Sequence, residues 1–379
     1  MRASIHLGRF AGVPVGFHWS LLVIAGLLTT DLAFGLLPGS GTAAAVIVAA
    51  LTVVAFFASV LAHEVAHAVV ARRHGVQVRG ITLWLLGGVA RLDGDIPSAG
   101  AELRIAVAGP ATSLGLAVGF GVLAAAVAAL DAPALVVSAI AWLAVVNAVL
   151  AVFNLAPAAP LDGGRVLAAA LWAYHGDRER ATIGAARAGT VFGWLLVVFG
   201  VSSFLTGGAI GLWPALLGWF LVNAAKAEAV HARVRRGLRG LTVADAMAPT
   251  TGLPGWLTVD AFLDRHVDGR TPAFVVERWE GGVAGVVTLD ALRAVQPAER
   301  GHTRVVELAV PIEDLRTAAP SDDLAAVWGR PAARARLPHV VVLEHGRVVG
   351  LVTPEVVRHV LTTATGAGRA PESSSGLFA

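Results

Sequence analysis

Residues 42–67 read TAAAVIVAALTVVAFFASVLAHEVAH, and this stretch decides the fold of the N-terminal half. It carries no charge from Thr42 to Ala62, and about 20 such residues suffice for a helix to cross a bilayer. The run ends in His63-Glu64-Val65-Ala66-His67. Positions four apart share one face of a helix, so His63 and His67 can bind one metal ion, and Glu64 can accept a proton from an activated water.

The alternative is that this helix simply ends at the polar edge of the membrane, because Arg72, Arg73 and His74 follow directly. Ionisable side chains inside a spanning helix cost several kcal/mol unless something pairs with them or uses them. We therefore favour a functional site over a mere helix end.

The composition is typical of a membrane protein. Hydrophobic residues make up 56% of the chain and charged residues 15%, whereas soluble domains carry about 25% charged residues. The apolar residues concentrate before Lys226, and the arginines cluster beside apolar segments. The net charge of +3 therefore does not indicate a nucleic-acid partner. Without cysteines, the chain has neither a disulfide framework nor a thiolate metal site.

Six segments are long and apolar enough to predict transmembrane helices in a lipid bilayer. Arginine clusters flank them on one side only, which by the positive-inside rule is the cytoplasm. The sequence thus predicts a multi-pass protein of the cell membrane with both termini cytoplasmic. The predicted spans are 15–37, 42–71, 102–130, 133–155, 187–206 and 209–226.

The segment between the second and third spans has a different pattern. Residues 76–95 read VQVRGITLWLLGGVARLDGD, with β-branched residues at the start and a break at Gly87-Gly88. The apolar run is too short to span a membrane as a helix. We predict a re-entrant β-hairpin over 76–96 that lines a cavity, in preference to an irregular connecting loop.

A catalytic zinc ion usually has three protein ligands, and the candidate for the third lies after the fourth span. Residues 154–165 read NLAPAAPLDGGR, where the prolines break a helix and Gly163 and Gly164 permit close backbone approach. Asp162 is the only carboxylate between Asp131 and Asp177. From composition alone, Asp162 is equally well explained as a metal ligand or as an interface residue.

H-E-x-x-H in an early span together with N-x-x-P-x-x-P-L-D-G-G-R in a later one resembles the site-2 protease family of intramembrane zinc metalloproteases. The resemblance covers about residues 1–226. It implies that His63, His67 and Asp162 bind one Zn²⁺ and that Glu64 is the general base. It also implies that Asn154 positions or polarises the substrate carbonyl, and that Gly87 and Gly88 belong to an edge strand that receives unwound substrate.

Two further features of this half have weaker interpretations. Ala108-Gly109-Pro110 is similar to a recurring A-G-P of the family, in which many members carry Asn three residues after the proline. Ser113 stands there in this chain, and we assign it no role. His18-Trp19 fits either an aromatic belt at the membrane interface or a histidine lining the cleft.

The chain after the basic segment reads as a βαββα-like unit present twice. Gly285-Val-Val-Thr288-Leu-Asp290 aligns with Gly350-Leu-Val-Thr353-Pro-Glu355. This repeat resembles a pair of cystathionine-β-synthase-type (CBS) domains, which implies an adenine nucleotide bound through Thr288 and Asp290 and pairing of tails from two chains into a homodimer. Glu355 departs from the motif, and a repeat that only packs or dimerises is the alternative.

The predicted fold class is thus a polytopic α-helical membrane protein of six transmembrane helices with a re-entrant β element, plus a cytoplasmic α+β CBS-pair domain. The predicted divisions are a transmembrane metalloprotease domain at 1–226, a basic linker at 227–240, CBS domains at 241–300 and 301–362, and a disordered tail at 363–379.

Proteolysis inside the membrane is the leading function, with a single-span membrane protein as the substrate that the family resemblance implies. A metal-ion transporter or channel regulated by the CBS pair is the alternative, because intramembrane histidines and carboxylates also suit ion pathways. Transport would tolerate Glu64→Gln, whereas hydrolysis would not. The sequence shows no inverted repeat of the kind found in many transporters.

Overall fold

The structure is a computed structural model, and it describes residues 4–10, 12–36, 42–84, 87–208, 211–250, 252–267, 271–329 and 337–366. The chain divides into two compact units, Met1–Ala232 and Arg233–Ala379. The predicted division at 226 lies close to this boundary. Residues 227–238 are helical, so most of the segment predicted as a linker continues the preceding helix.

The first unit is built mainly from helices. Four of them, among the residues described, are long and apolar enough to cross a membrane: α2, α3, α4 and α6. A shorter apolar helix covers Ser20–Gly35, and the count of six spans remains a prediction. The helices are α1 (Ser20–Asp31, continued by a π turn over Leu32–Leu36), α2 (Ala43–Arg73), α3 (Ala99–Ala129), α4 (Ala134–Asn154), α5 (Asp162–His175), α6 (Arg178–Gly207) and α7 (Leu212–Leu238).

A four-stranded sheet accompanies these helices. Its strands are β1 (Ile5–Phe10), β2 (Val13–Phe17), β3 (Gln77–Trp84) and β4 (Gly87–Asp93), and they lie in that order across the sheet. The β3–β4 pair is the hairpin expected over 76–96, with Leu83 opposite Gly88. Whether it re-enters a membrane remains a prediction.

The N-terminal strands are a correction to the sequence prediction. Residues 15–17, expected in the first span, lie in β2, and α1 begins only at Ser20. Strand β2 runs parallel to β3, with Val15 opposite Ile81. Val13 and Val15 are buried in one core with Ile81 and Leu83. β-branched residues fit such a buried strand, and Pro14 and Gly16 disfavour a helix here.

The second unit contains two sheets of four strands. The first half contributes β5 (Ala248–Pro249), β6 (Leu253–Pro254), β7 (Ala273–Glu277), β8 (Val283–Thr288) and helices α8 (Val243–Ala246), α9 (Val259–His266) and α10 (Leu289–Ala294). The second half contributes β9 (Val310–Pro311), β10 (Arg316–Ala318), β11 (Val340–Glu344), β12 (Arg347–Val352) and helices α11 (Val305–Leu308), α12 (Leu324–Gly329) and α13 (Pro354–Gly366).

The two halves exchange their opening segments. The sheet orders are β6-β7-β8-β9 and β10-β11-β12-β5, so each half donates one strand to the other. Val243 and Ala246 lie in the core of the second half, and Val305 lies in the core of the first. The order of these segments in the sequence therefore differs from the way they pack. The predicted division at 300 separates the two repeats in the sequence, while each half packs with a strand from the other. In the predicted disordered tail, residues 363–366 close α13 and 367–379 lie outside the described residues.

Candidate active site

Helix α2 brings the two histidines together, as their spacing predicts. Nε2 of His63 lies 3.2 Å from Nε2 of His67, and both residues are buried. Helix α3 packs directly against them at Gly109, where an added Cβ would lie only 2.5 Å from Nε2 of His63 and would overlap Nε2 of His67. A side chain at position 109 would therefore displace both rings.

Asp162 joins this pair from the other side. Helix α4 ends at Asn154, α5 begins at Asp162, and the proline-containing turn between them redirects the chain. The turn packs against Gly163 and Gly164, where an added Cβ would overlap backbone atoms of residues 155–159. Asp162 Oδ2 consequently lies 3.1 Å from Nε2 of His63 and 3.2 Å from Nε2 of His67.

Hydrogen bonds to the far side of each ring determine what this cluster can bind. Nδ1 of His67 donates to the carbonyl oxygen of Ile105 at 2.6 Å, and Nδ1 of His63 lies 2.9 Å from Oγ of Ser113. A carbonyl can only accept, so a neutral His67 presents the lone pair of Nε2 to Asp162. With Ser113 accepting from His63 in the same way, three acceptor atoms converge, and a cation between them would relieve their repulsion.

The spacing of these acceptors suits zinc. Ligand bonds of about 2.0–2.1 Å in tetrahedral geometry separate two ligand atoms by about 3.3 Å, close to the 3.1–3.2 Å observed. Among the residues described, His63, His67 and Asp162 form the group of potential ligands whose atoms lie within 4.8 Å of one another. The residues present therefore fit a zinc ion with an open coordination position.

Ser113 is the functional candidate that the sequence analysis missed. It is fully buried and contacts His63 from α3, 50 residues away in the chain. The sequence feature that could have identified Ser113 is its position three residues after Pro110. In the family that the motifs resemble, many members carry asparagine there, which also forms hydrogen bonds. Only the packing of α3 against α2 reveals its partner.

We expect Ser113→Ala to lower zinc affinity by about 10–100-fold, the usual cost of losing an outer partner of a ligating histidine. The ring of His63 would lose the contact that orients it. Competition with a zinc chelator measures the affinity. Thr112→Ala is the matched control, because that hydroxyl donates to the Ala108 carbonyl of its own helix. Equal zinc affinity in the two variants would exclude a role for Ser113 in orienting His63.

A cavity of about 690 Å³ opens beside the cluster. Its walls are mostly apolar, while His63, Glu64, His67, Asn154, Asp162 and Arg165 supply its ionisable and amide groups. Gly87 and Gly88 at the start of β4 also line it, and an added Cβ at Gly88 would overlap the side chain of Glu64. All the site residues predicted in the first unit thus lie at one cavity.

The remaining candidates have local roles in the fold. The backbone N–H of His18 donates to the carbonyl of Leu83, and Nδ1 of His18 lies 2.9 Å from Oγ of Ser20 at the start of α1. His18 is not among the residues that line the cavity. In the second unit, Oγ1 of Thr288 accepts from the N–H of Ala291 and caps α10, with Asp290 exposed in the first turn.

An H-E-x-x-H helix and a carboxylate as third potential ligand at an apolar cavity, among helices long enough to span a bilayer, define the class of membrane-embedded metallopeptidases. The model of peptidase family M50 matches residues 51–134 and 120–197. Rip3 of Mycobacterium tuberculosis, named as a zinc metalloprotease, is 46% identical over 369 residues, covering 95% of this chain and 93% of its own. The chain therefore belongs to peptidase family M50 and is an intramembrane zinc metalloprotease.

Two solved structures each show similarity to a portion of the chain. The site-2 protease from Methanocaldococcus jannaschii is 28% identical, with a TM-score of 0.43 over 59% of this chain and 94% of that one. The CBS domain of a membrane protein from Sphaerobacter thermophilus is 16% identical, with a TM-score of 0.28 over 36% of this chain and 96% of that one.

Proposed function

We propose that His63, His67 and Asp162 hold the catalytic zinc ion and that Glu64 is the general base of peptide hydrolysis. The observation that carries this proposal is the convergence of two histidine nitrogens and one carboxylate oxygen at 3.1–3.2 Å, with His67 already donating through Nδ1. Zinc, when bound, supplies Lewis-acid polarisation of a carbonyl and a lower pKa for water.

Glu64 performs the proton transfers. It accepts a proton from the attacking water as the water oxygen adds to the scissile carbonyl carbon, and it delivers that proton to the amine nitrogen as the C–N bond breaks. Asn154 lies at the same cavity, and its amide can donate to a substrate carbonyl. The apolar walls exclude bulk water, which strengthens each of these polar contacts.

The substrate is a single-span membrane protein, already trimmed on its outer side, that enters the cavity in extended form. Strand β4 is the last strand of its sheet, so its outer edge can pair with an added strand. Because Gly88 has no side chain, the backbone of β4 lies directly against the side chain of Glu64. An extended substrate paired there would therefore present its backbone to the general base.

Purified protein should contain about one zinc ion per chain by elemental analysis. His63→Ala and Asp162→Ala should each lose it, because two remaining ligands bind zinc weakly. His175→Ala is the matched control, since that histidine is exposed and its Nδ1 donates to the Leu171 carbonyl of its own helix. Full zinc content in Asp162→Ala would refute the ligand assignment.

We also propose that the six spans leave both termini in the cytoplasm, where the second unit binds adenine nucleotide, pairs with a second copy and modulates proteolysis. The support is the distribution of arginines and the repeated motif ending at Thr288 and Asp290. Both residues lie at the start of α10.

Calorimetry on the full chain in detergent tests this binding. ATP, ADP or AMP should release heat with at most one strong site per chain, and Asp290→Ala should weaken the binding. Asp260→Ala is the control, because Asp260 occupies the same first-turn position in α9. Absence of heat with all three nucleotides would leave the repeat as a packing or dimerisation module.

A further inference from the structure

Arg165 is a cation of the cavity to which neither the motif nor the mechanism above gives a role. It follows Asp162 by three positions in α5, and positions three apart lie on the same side of a helix. Arg165 also lines the same cavity as Glu64 and Asn154. Its guanidinium therefore belongs to the polar end of a chamber whose walls are otherwise mostly apolar.

The partners of Arg165 leave most of its donors free. Nε lies 4.0 Å from Oε1 of Glu102, which is an ion pair but too long for a hydrogen bond. Glu102 is already bound more closely by another arginine, because Nε of Arg178 donates to Oε2 at 3.2 Å. Within the part of the chain that the structure describes, no side-chain hydrogen bond of Arg165 is present.

The guanidinium of Arg165 is partly buried, yet its partners do not close it off. The side chain of Arg165 is only 28% exposed, and a partly desolvated guanidinium with five donors seeks acceptor oxygens. Glu102 is buried and accepts from Arg178, which is also 3.3 Å from Asp95. Glu228 lies near both Arg165 and Glu102, so Arg165 balances part of this negative charge without donating a hydrogen bond to it. The unused donors can then serve an oxygen that arrives with the substrate.

We propose that Arg165 is a catalytic residue that donates hydrogen bonds to the carbonyl oxygen of the scissile peptide as negative charge develops on it. This inference rests on the active site proposed above. Arg165 keeps its proton throughout, so Glu64 alone carries the proton of the attacking water. Glu102 is a positioning residue, because its charge draws Nε back and leaves the terminal nitrogens of the guanidinium for the substrate.

Steady-state cleavage of a synthetic single-span peptide in detergent micelles tests the proposal. Arg165→Met should lower kcat by about 10²–10³-fold, the usual loss of one donor to a developing oxyanion, while KM, zinc content and Tm stay near those of the unmodified protein. Arg165→Lys should retain part of kcat. Millimolar guanidinium should restore part of the activity of Arg165→Met.

Arg187→Met is the matched control, since Arg187 is exposed and does not line the cavity. It should keep kcat and Tm, and guanidinium should have no effect on it. Unchanged kcat in Arg165→Met would overturn the proposal. A loss of kcat in Arg165→Met that comes with loss of zinc and a lower Tm, and that guanidinium does not rescue, would also overturn the proposal. Arg165 would then have a structural role. If the unmodified protein binds no zinc, the result contradicts the proposed zinc site and not the role of Arg165.

Discussion

Glu64→Gln should abolish cleavage and leave zinc content and Tm unchanged. The amide has nearly the shape of the carboxylate but cannot accept the proton of the attacking water, a role that contributes about 10²–10⁴-fold to the rate. Glu64 is not among the potential metal ligands, so zinc should stay bound. Cleavage of a single-span peptide by purified protein, with elemental analysis of the same samples, measures both effects.

The same variant separates proteolysis from metal transport. Transport through the cluster of His63, His67 and Asp162 would not require a base and would tolerate Glu64→Gln. Glu179→Gln, which makes the same chemical change in the first turn of α6, is the control. Near-normal turnover in Glu64→Gln would refute the general-base assignment.

Gly109→Ala should lower zinc affinity by at least about 100-fold. Loss of one outer partner of a ligating histidine already costs about 10–100-fold, and here the added methyl group overlaps one ligating nitrogen and lies 2.5 Å from the other. Either both rings rotate away from Asp162 or α3 retreats and releases the partners of both Nδ1 atoms. Competition with a chelator measures the zinc affinity.

Gly115→Ala in the same helix is the matched control, because an added Cβ there has no neighbour within 4 Å. It should retain full zinc affinity and gain slightly in stability, by about 0.5–1 kcal/mol, since alanine is the better helix former. Equal zinc affinity in the two alanine variants would show that α3 does not press on the metal centre.

Local patterns in the chain predicted a large part of this architecture. Apolar runs of about 20 residues identified α2, α3, α4 and α6 as spanning candidates, and the β-branched start of the 76–96 segment indicated the β3–β4 hairpin. The i, i+4 spacing in α2 predicted the pairing of His63 and His67. These features depend on residues a few positions apart, so the sequence alone determines them.

Contacts between distant segments were decided only by the tertiary structure. Ser113 and Ile105 lie 50 and 38 residues from the histidines they contact, and no helical or strand period connects such positions. The sequence left Asp162 open between ligand and interface residue, and the fold brings it to both histidines across 95 and 99 residues.

In the second unit, too, the limits of the two halves depend on tertiary contacts. The segments around Val243 and Val305 look alike as openings of two repeated halves, yet each packs in the core of the other half. A short strand pairs wherever an edge is free and its apolar side can be buried, and that choice depends on the whole unit. The sequence by itself determined the four long apolar helices, the metal-binding spacing and the repeat. Tertiary packing decided which residues press on the metal centre and which half each strand completes, because burial is a property of the assembled fold.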